Sequence, residues 1–380
     1  MLNIIFLLKH SGAIIFHTEQ FCQDLTGDNS LVTLKKVLRK YITQKTGDVE
    51  MKKPWENFSG VDRLYEPSLK RDVQDWVMLF PGLNLCSWYL KSKGGCSMCG
   101  FNGSASSKQE YAWLTKYFGG RALHAMYWLG YWGARKQNPE RLTIYNGGNF
   151  LNTGKEVPGQ KPEIPFSLQK TICRHVRTHR TIQKLFVESR PEFITSENIP
   201  LLKGLLGEKT LEVGIGLESS NDHIRNGVLK KGTSLAAFER AVATLREYGA
   251  KSLAYVFLKP IGLDDAAAVT DAIATIRYCF EVAHVDEVSL SCAFIQEGTG
   301  FHKAYEDGTY KPPTLWSITR VIEQTANLGP VRVGTFEDDP PPIDVPKNCP
   351  ECTDRVNKAL DQYRHSFDPT VFDGLSCPCK

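Results

Sequence analysis

From about residue 75 the chain alternates short apolar runs with longer segments of helical character. The short runs are Trp76–Leu83, Leu142–Tyr145, Lys184–Glu188, Thr210–Ile215, Ser252–Leu258 and Glu287–Phe294. Most are apolar almost throughout, as strands are when both faces are covered. Between them, Ser107–Ala134, Phe166–His179, Asn198–Leu206, Leu235–Tyr248 and Ala266–Val282 read as helices, with Leu235, Phe238, Val242 and Leu245 at helical spacing. Strands alternating with helices predict a parallel sheet with crossover helices. Six repeats are too few for a closed eight-stranded barrel, so the predicted fold is α/β, an open partial (β/α)6 barrel. Its active site belongs at the C-terminal ends of the strands.

Three segments follow from this pattern. Residues 1–70 form an N-terminal extension, 71–335 the barrel, and 336–380 a linker with a cysteine-rich unit. The extension holds a helix-like stretch, Leu31–Ile42, whose Lys35, Lys36, Arg39 and Lys40 read as a solvated face in preference to an RNA-contacting patch. The linker, Thr335–Lys347, contains the run Pro340, Pro341, Pro342, and an amphipathic helix is expected near Val356–Tyr363.

Composition narrows the class. With 42% hydrophobic and 11% aromatic residues the chain can bury a large core and is not a disordered protein. A net charge of +4 permits a polyanionic partner without arguing for one, and no pronounced basic stripe stands out. The first apolar run, Leu2–Leu8, is too short for a membrane span and lacks a preceding basic region, so the expectation is a cytoplasmic protein without a membrane anchor.

Chemistry enters with the 11 cysteines, seven of them in two clusters. The first is Cys86-Ser-Trp-Tyr-Leu-Lys-Ser-Lys-Gly-Gly-Cys96-Ser-Met-Cys99-Gly, directly after the first predicted strand. Three thiolates can hold three irons of a [4Fe–4S] cube and leave the fourth open to a ligand. Gly94, Gly95 and Gly100 let a loop wrap such a group. The alternatives are a zinc site on Cys96 and Cys99 with two distant ligands, or three unligated core cysteines. The second cluster, Cys349-x2-Cys352 with Cys377-x-Cys379, brackets the tail helix. It reads as a closed four-thiolate zinc site, with a second iron–sulfur cluster as competitor. Cys22, Cys173, Cys279 and Cys292 stand alone in apolar surroundings and read as structural.

The spacing Cys-x9-Cys-x2-Cys resembles a variant of the radical S-adenosylmethionine (SAM) signature, similar to that of the elongator catalytic-subunit family. A closer resemblance is to the radical SAM subunits of archaeosine synthase, over roughly residues 75–380. It is carried by Gly94-Gly-Cys-Ser-Met-Cys-Gly100, Val187-Glu-Ser-Arg-Pro-Glu-Phe193, Leu211-Glu-Val-Gly-Ile-Gly-Leu-Glu218, Lys230-Lys-Gly-Thr233, Leu258-Lys-Pro260, Gln296-Glu-Gly-Thr299, Tyr310-Lys-Pro-Pro-Thr-Leu-Trp-Ser317 and the tail pattern Asn348-Cys-Pro-Glu-Cys352 with Phe372-Asp-Gly-Leu-Ser-Cys-Pro-Cys379.

The resemblance implies roles for several residues. Cys86, Cys96 and Cys99 would hold the [4Fe–4S] cluster. Asn146-Gly147-Gly148-Asn149 stands where the family has a Gly-Gly-Glu motif for the amino group of SAM, with Asn149 in place of the acid; a plain β-turn is the other reading. Glu188 would accept from ribose hydroxyls and Arg190 would pair with the SAM carboxylate, unless the two simply pair with each other. Gly214, Gly216 and Glu218 belong to the segment against the adenine. Lys259, Pro260 and Gln296–Thr299 are candidate substrate contacts or plain turns. The implied function is reductive cleavage of SAM to a 5′-deoxyadenosyl radical, in a carbon–nitrogen lyase step on a lysine-bearing deazaguanine base of tRNA. Implied partners are tRNA, a subunit that supplies the base, and an external electron donor. Two alternatives stay open: a radical SAM enzyme for another tRNA position or a small deazapurine, and a non-enzymatic zinc-stabilised binding protein.

Overall fold

The computed structural model describes residues 56, 58–80, 82–100, 115, 118–337 and 341–380. The predicted helix Leu31–Ile42, Cys22 and most of the N-terminal extension therefore lie outside the described residues, as does much of the stretch Ser107–Ala134 before residue 118. All six predicted strands are present in one sheet, flanked by two more. The strands are β1 (Ser59–Glu66), β2 (Arg71–Leu79), β3 (Arg141–Tyr145), β4 (Lys184–Glu188), β5 (Thr210–Glu218), β6 (Lys251–Leu258), β7 (Glu287–Cys292) and β8 (Val331–Val333). They lie side by side in chain order; β1 pairs antiparallel with β2, and every later pairing is parallel.

Between the strands run α1 (Ser87–Ser92), α2 (Gly120–Ala134), α3 (Phe166–Thr178), α4 (Asn198–Leu206), α5 (Leu235–Glu247) and α6 (Asp265–Tyr278). Then follow α7 (Gly300–Glu306), α8 (Leu315–Thr325) and the tail helix α9 (Pro350–Arg364). The sheet curves into an open α/β half-barrel, as predicted. Its outer face packs on helical side chains such as Leu168, Ile172, Phe238, Val242 and Leu245, all fully buried. Ser234 and Asp264 cap α5 and α6 through bonds to Ala237 N and Ala267 N, which fixes where those helices begin.

The inner face is not purely apolar. Asp75, Arg141, Glu212 and Glu287 point inward near the N-terminal ends of the strands and are almost wholly buried. Arg141 lies between Asp75 (3.7 Å) and Glu212 (3.4 Å), Lys184 joins Glu66 (2.7 Å) and Glu212 (3.4 Å), and Arg332 pairs with Glu287 (2.7 Å). This ionic plug closes the floor below the site; removing one member would strand a buried charge.

No ladder joins β1 to β8. Side chains bridge the gap instead. Arg332 donates to Tyr65 O (3.0 Å), the Phe367 ring lies 5.3 Å from Tyr65, and His365 Nδ1 lies 2.9 Å from Asp72. The end of α9 is fastened there by Tyr363 Oη to Val331 O (2.7 Å). Cys352, Val356, Leu360, Tyr363 and Phe372 belong to the same core as the sheet. Among the described residues, no helix is long and apolar enough to cross a membrane.

Candidate functional site

Cys86 is the N-terminal cap of α1, at the end of the loop that leaves β2. Lys93 ends that helix in the left-handed region (φ 57°) and Gly95 follows at φ 69°, turning the chain so that Cys96 and Cys99 come next. The loop is docked on the β5–α5 connection. Trp88 Nε1 donates to Lys230 O (2.9 Å), Ser97 N to Leu229 O (3.0 Å) and Ser97 Oγ to Val228 O (3.0 Å). The Trp88 ring lies so close over Gly232 (φ 64°) that a Cβ there would be 2.1 Å from it, and its face meets the Arg190 guanidinium at 4.8 Å. Cys86, Cys96 and Cys99 are half-buried and take part in no disulfide. Burial pushes the Cys96 thiol up to about 11, while Lys231 and Arg190 pull the other way. Cations beside buried sulfur favour thiolate and suit an anionic thiolate–sulfide group.

The Asn146–Asn149 stretch forms the second wall. No hairpin follows it, because β3 and β4 are parallel and α3 lies between them. Asn149 is fully buried. Its Oδ1 accepts from Arg190 N (2.9 Å), and its Nδ2 donates to Ser87 Oγ (3.2 Å) and faces Cys86 Sγ at 3.9 Å. Sequence reasoning missed the residue that organises this wall, Glu163. Its carboxylate, 1% exposed, accepts from Ser87 N (3.0 Å), Asn149 N (2.6 Å), Asn149 Nδ2 (2.5 Å) and Asn152 Nδ2 (3.1 Å). A Cβ on Gly148 would sit 2.0 Å from that carboxylate, so glycine is needed there for Glu163 to approach. An acid is thus present beside the Gly-Gly turn, delivered from a Pro-rich loop. The side chains of Asn146 and Ser189 are buried here without a hydrogen-bond partner among the described residues. Buried orphan polar groups are costly unless a ligand satisfies them.

At the ends of β4 and β5, Glu188 accepts from Tyr255 Oη (2.6 Å) and Arg190 pairs with Glu192 (2.7 Å). Arg190 also donates to Lys231 O (2.7 Å), Gly232 O (2.9 Å) and Thr233 Oγ1 (3.1 Å), so each of its nitrogens is engaged. The space left by Gly214 and Gly216 is filled from within. A Cβ on Gly214 would lie 2.8 Å from the Phe186 ring, and one on Gly216 would lie 2.1 Å from Lys231 Nζ. Glu218, at φ 71°, holds Lys231 Nζ at 2.7 Å. Burial works against the Lys231 ammonium, but Glu218 and the Cys96 sulfur hold it above its usual range. Lys231 is a second residue without an assigned role in the sequence.

Farther round the sheet, Lys259 is tied to Asp265 (2.7 Å), which also accepts from Ser317 Oγ (2.6 Å) and Thr314 N (3.0 Å). Tyr310 Oη donates to Lys259 O (2.7 Å). These motifs lock one another. Gln296 lies against Gly100 of the cysteine loop, and Thr299 caps α7.

The tail cysteines form a separate centre. The sulfurs of Cys349, Cys352, Cys377 and Cys379 lie within 4.8 Å of one another, with neighbouring pairs at 3.4 to 3.6 Å. That is too long for a disulfide and near the ~3.8 Å between thiolates on a tetrahedral zinc with Zn–S of about 2.3 Å. Trp316 Nε1 donates to Cys379 Sγ (3.3 Å). Hydrogen bonds from the Cys349 backbone and Trp316 draw the Cys379 thiol down to about 6; the Cys379 and Cys377 sulfurs push Cys349 up to about 12. Four converging sulfurs with acidity concentrated on one can hold a metal ion. Cys173, Cys279 and Cys292 are buried and free, with thiols raised by burial.

No family model matches the chain. The chain is similar to archaeosine synthase subunit beta of Methanosarcina acetivorans, 28% identical over 305 residues, 78% of this chain and 80% of that protein. The same-named protein of Thermococcus kodakarensis is 28% identical over 253 residues, covering 64% of this chain and 73% of its own. Among solved structures, Elp3 of Methanocaldococcus infernus with an N-terminal deletion aligns over 71% of this chain and 62% of that one at 17% identity, with a TM-score of 0.47.

Proposed function

We propose that this chain is a radical SAM enzyme acting in tRNA modification, as the radical SAM subunit of an archaeosine-type synthase. The observation that carries the reading is the set of three cysteines outside any disulfide, Cys86, Cys96 and Cys99, on a glycine-bearing loop at the C-terminal end of β2. The likeness to archaeosine synthase subunit beta supports the substrate class. A [4Fe–4S] cluster on those cysteines would supply the open iron and the electron for reductive cleavage of SAM to methionine and a hydrogen-abstracting 5′-deoxyadenosyl radical.

The chain's own residues prepare this chemistry. Burial raises the Cys96 thiol, and the positive charge of Lys231 and Arg190 beside it offsets part of that cost to a thiolate. Glu163 fixes the start of α1 against the Asn146–Asn149 turn, so Cys86 and the turn that would receive the amino group of SAM share one wall. The orphan amide of Asn146 and hydroxyl of Ser189 would supply polar contacts to SAM at the strand ends. Arg190 holds the 231–233 loop under Trp88 and keeps the cluster loop seated. The buried ionic plug blocks water from below, as radical chemistry demands. The substrate would be a lysine-bearing deazaguanine in tRNA, supplied through a partner subunit, and the step a carbon–nitrogen bond cleavage. An external reductant would supply the electron. The tail thiols would hold zinc, a closed structural site.

Anaerobic purification tests this. The expected protein is brown, carries about four iron and about one zinc per chain, and releases 5′-deoxyadenosine from SAM after reduction. Cys96→Ala should lose the iron and that product. With the partner subunit and bulk tRNA, nucleoside mass analysis should detect the amidine-bearing base. A colourless protein holding only zinc would overturn the reading in favour of a binding protein.

A further inference from the structure

The chain-wide charge of +4 conceals one uneven face. Neither residues 118–139 nor 164–187 contain an Asp or Glu, yet together they hold eight of the 46 lysines and arginines. Without them the chain would be acidic. Lys184 turns inward to the ionic plug. The two stretches fold as α2 and α3, which lie side by side on the outside of the barrel.

Their shared surface is aromatic as well as basic. Tyr127 Oη and His175 Nδ1 lie 2.6 Å apart, Tyr131 meets the ring of His175 at 4.4 Å, and Trp128 meets it at 4.9 Å. Burial and His179 push His175 down to about 4, so its ring is neutral at physiological pH. On top of this wall Trp128 is 45% and Trp132 53% exposed, while the Arg135 guanidinium lies 4.5 Å over the Trp132 ring. Large indoles left open are unusual on a soluble surface and mark a binding face. Arg174, Arg177 and Arg180, on or just after α3, and Arg121 and Lys136, on or just after α2, are exposed.

Flat indoles beside cations, on two helices that carry no acid of their own, match the needs of RNA. Unpaired bases stack on aromatic faces, and phosphates are neutralised by Lys and Arg. An acidic protein would be drawn by the same cations but has no use for open stacking faces. We propose that the outer face of α2 and α3 binds RNA, with bases stacked on Trp128 and Trp132 and phosphates held by Arg174, Arg177 and Arg180. That the RNA is tRNA rests on the function proposed above.

The test uses the full chain and fluorescently labelled bulk tRNA, with affinity read by anisotropy across a salt series. A double variant, Trp128→Ala with Trp132→Ala, should bind about tenfold or more weakly. Arg174→Glu with Arg177→Glu should also weaken binding and lower the salt slope by about 2. Arg240→Glu, an exposed site on α5, should bind as the parent does. Unchanged melting temperatures would show that the variants fold. Variants that bind tRNA like the parent would overturn the proposal. So would a parent that ignores tRNA but binds polyglutamate, which would assign the face to an acidic protein. Release of 5′-deoxyadenosine from SAM without RNA is measured alongside and should not change in any variant. A parent that releases none, yet binds tRNA through Trp128 and Trp132, refutes the radical function and upholds the RNA face.

Discussion

Glu163→Gln is the sharpest single probe of the site, because it changes one charge and almost no volume. In the parent, Oε1 accepts from Ser87 N, Asn149 Nδ2 and Asn152 Nδ2, and Oε2 accepts from Asn149 N at 2.6 Å. A glutamine can keep only one oxygen. If that oxygen takes the three-donor side, the new NH2 faces the Asn149 N–H, donor against donor. One charge-assisted hydrogen bond is lost, worth about 1.5–3 kcal/mol, and a buried N–H is left unpaired, costing about 1–3 kcal/mol. These overlap, so a loss of roughly 2–4 kcal/mol is expected. Movement cannot relieve it, since the carboxylate already fills the space where a Gly148 side chain would begin. For a chain of this size about 2 °C per kcal/mol applies, giving a melting point lower by about 4–8 °C. Circular dichroism reads that shift. Hydrogen exchange followed by mass spectrometry locates it: the amides of Ser87 and Asn149 should exchange faster, and those of β6 and β7 should not. A melting point within roughly 1 °C of the parent, with unchanged exchange at both amides, would refute the idea that Glu163 holds the cysteine loop to the turn.

Other predictions test neighbouring parts. Gly232→Ala puts a methyl group into the Trp88 ring at a left-handed position, and should cost about 2–4 kcal/mol in urea unfolding while shifting Trp88 fluorescence. His175 has a folded pKa pushed down to about 4 against an ordinary value near 6.5, so the unfolded chain takes up the proton first. Stability is therefore lost as pH falls from about 6.5 to about 4, and His175→Phe should flatten that decline in melting temperature relative to the parent. Cys352→Ser should release the zinc proposed for the tail and lower the melting point; retention of about one zinc per chain by metal analysis would show that Cys352 is not a ligand.

Much of the sheet was legible because its strands are buried on both sides. The bounds of β4 and α4 agree with the apolar runs to the residue. β1 escaped notice because its polar residues, Asp62 and Arg63 among them, interrupt any apolar run, and β8 because three residues make no periodic signal. The ionic plug was hidden for the opposite reason: Arg141 opens an apolar strand and reads as its flank, yet folds inward onto Asp75 and Glu212. The cysteine loop announced itself by spacing. Glu163 did not, since its partners lie 11 to 76 residues away and no local pattern marks it. The basic face went unseen because +4 is a sum over a molecule whose charge is unevenly placed.

The bridged gap between β1 and β8 bears on how the molecule comes into being. Every ladder in the sheet joins neighbours in the chain, so pairing can spread strand by strand as synthesis proceeds. The contacts across the gap are of another kind: Arg332 meets Tyr65 across 267 residues of sequence and His365 meets Asp72 across 293. Closing them carries the largest loop-entropy cost among the hydrogen bonds of the described residues and must wait for residues 332–367 to be made. Until then the described residues leave the outer edge of β1 without a ladder partner, and the segment that packs beside it arrives tethered to the four-cysteine centre. Metal capture there would thus be among the final acts of maturation, setting the moment at which a nascent chain becomes safe from self-association.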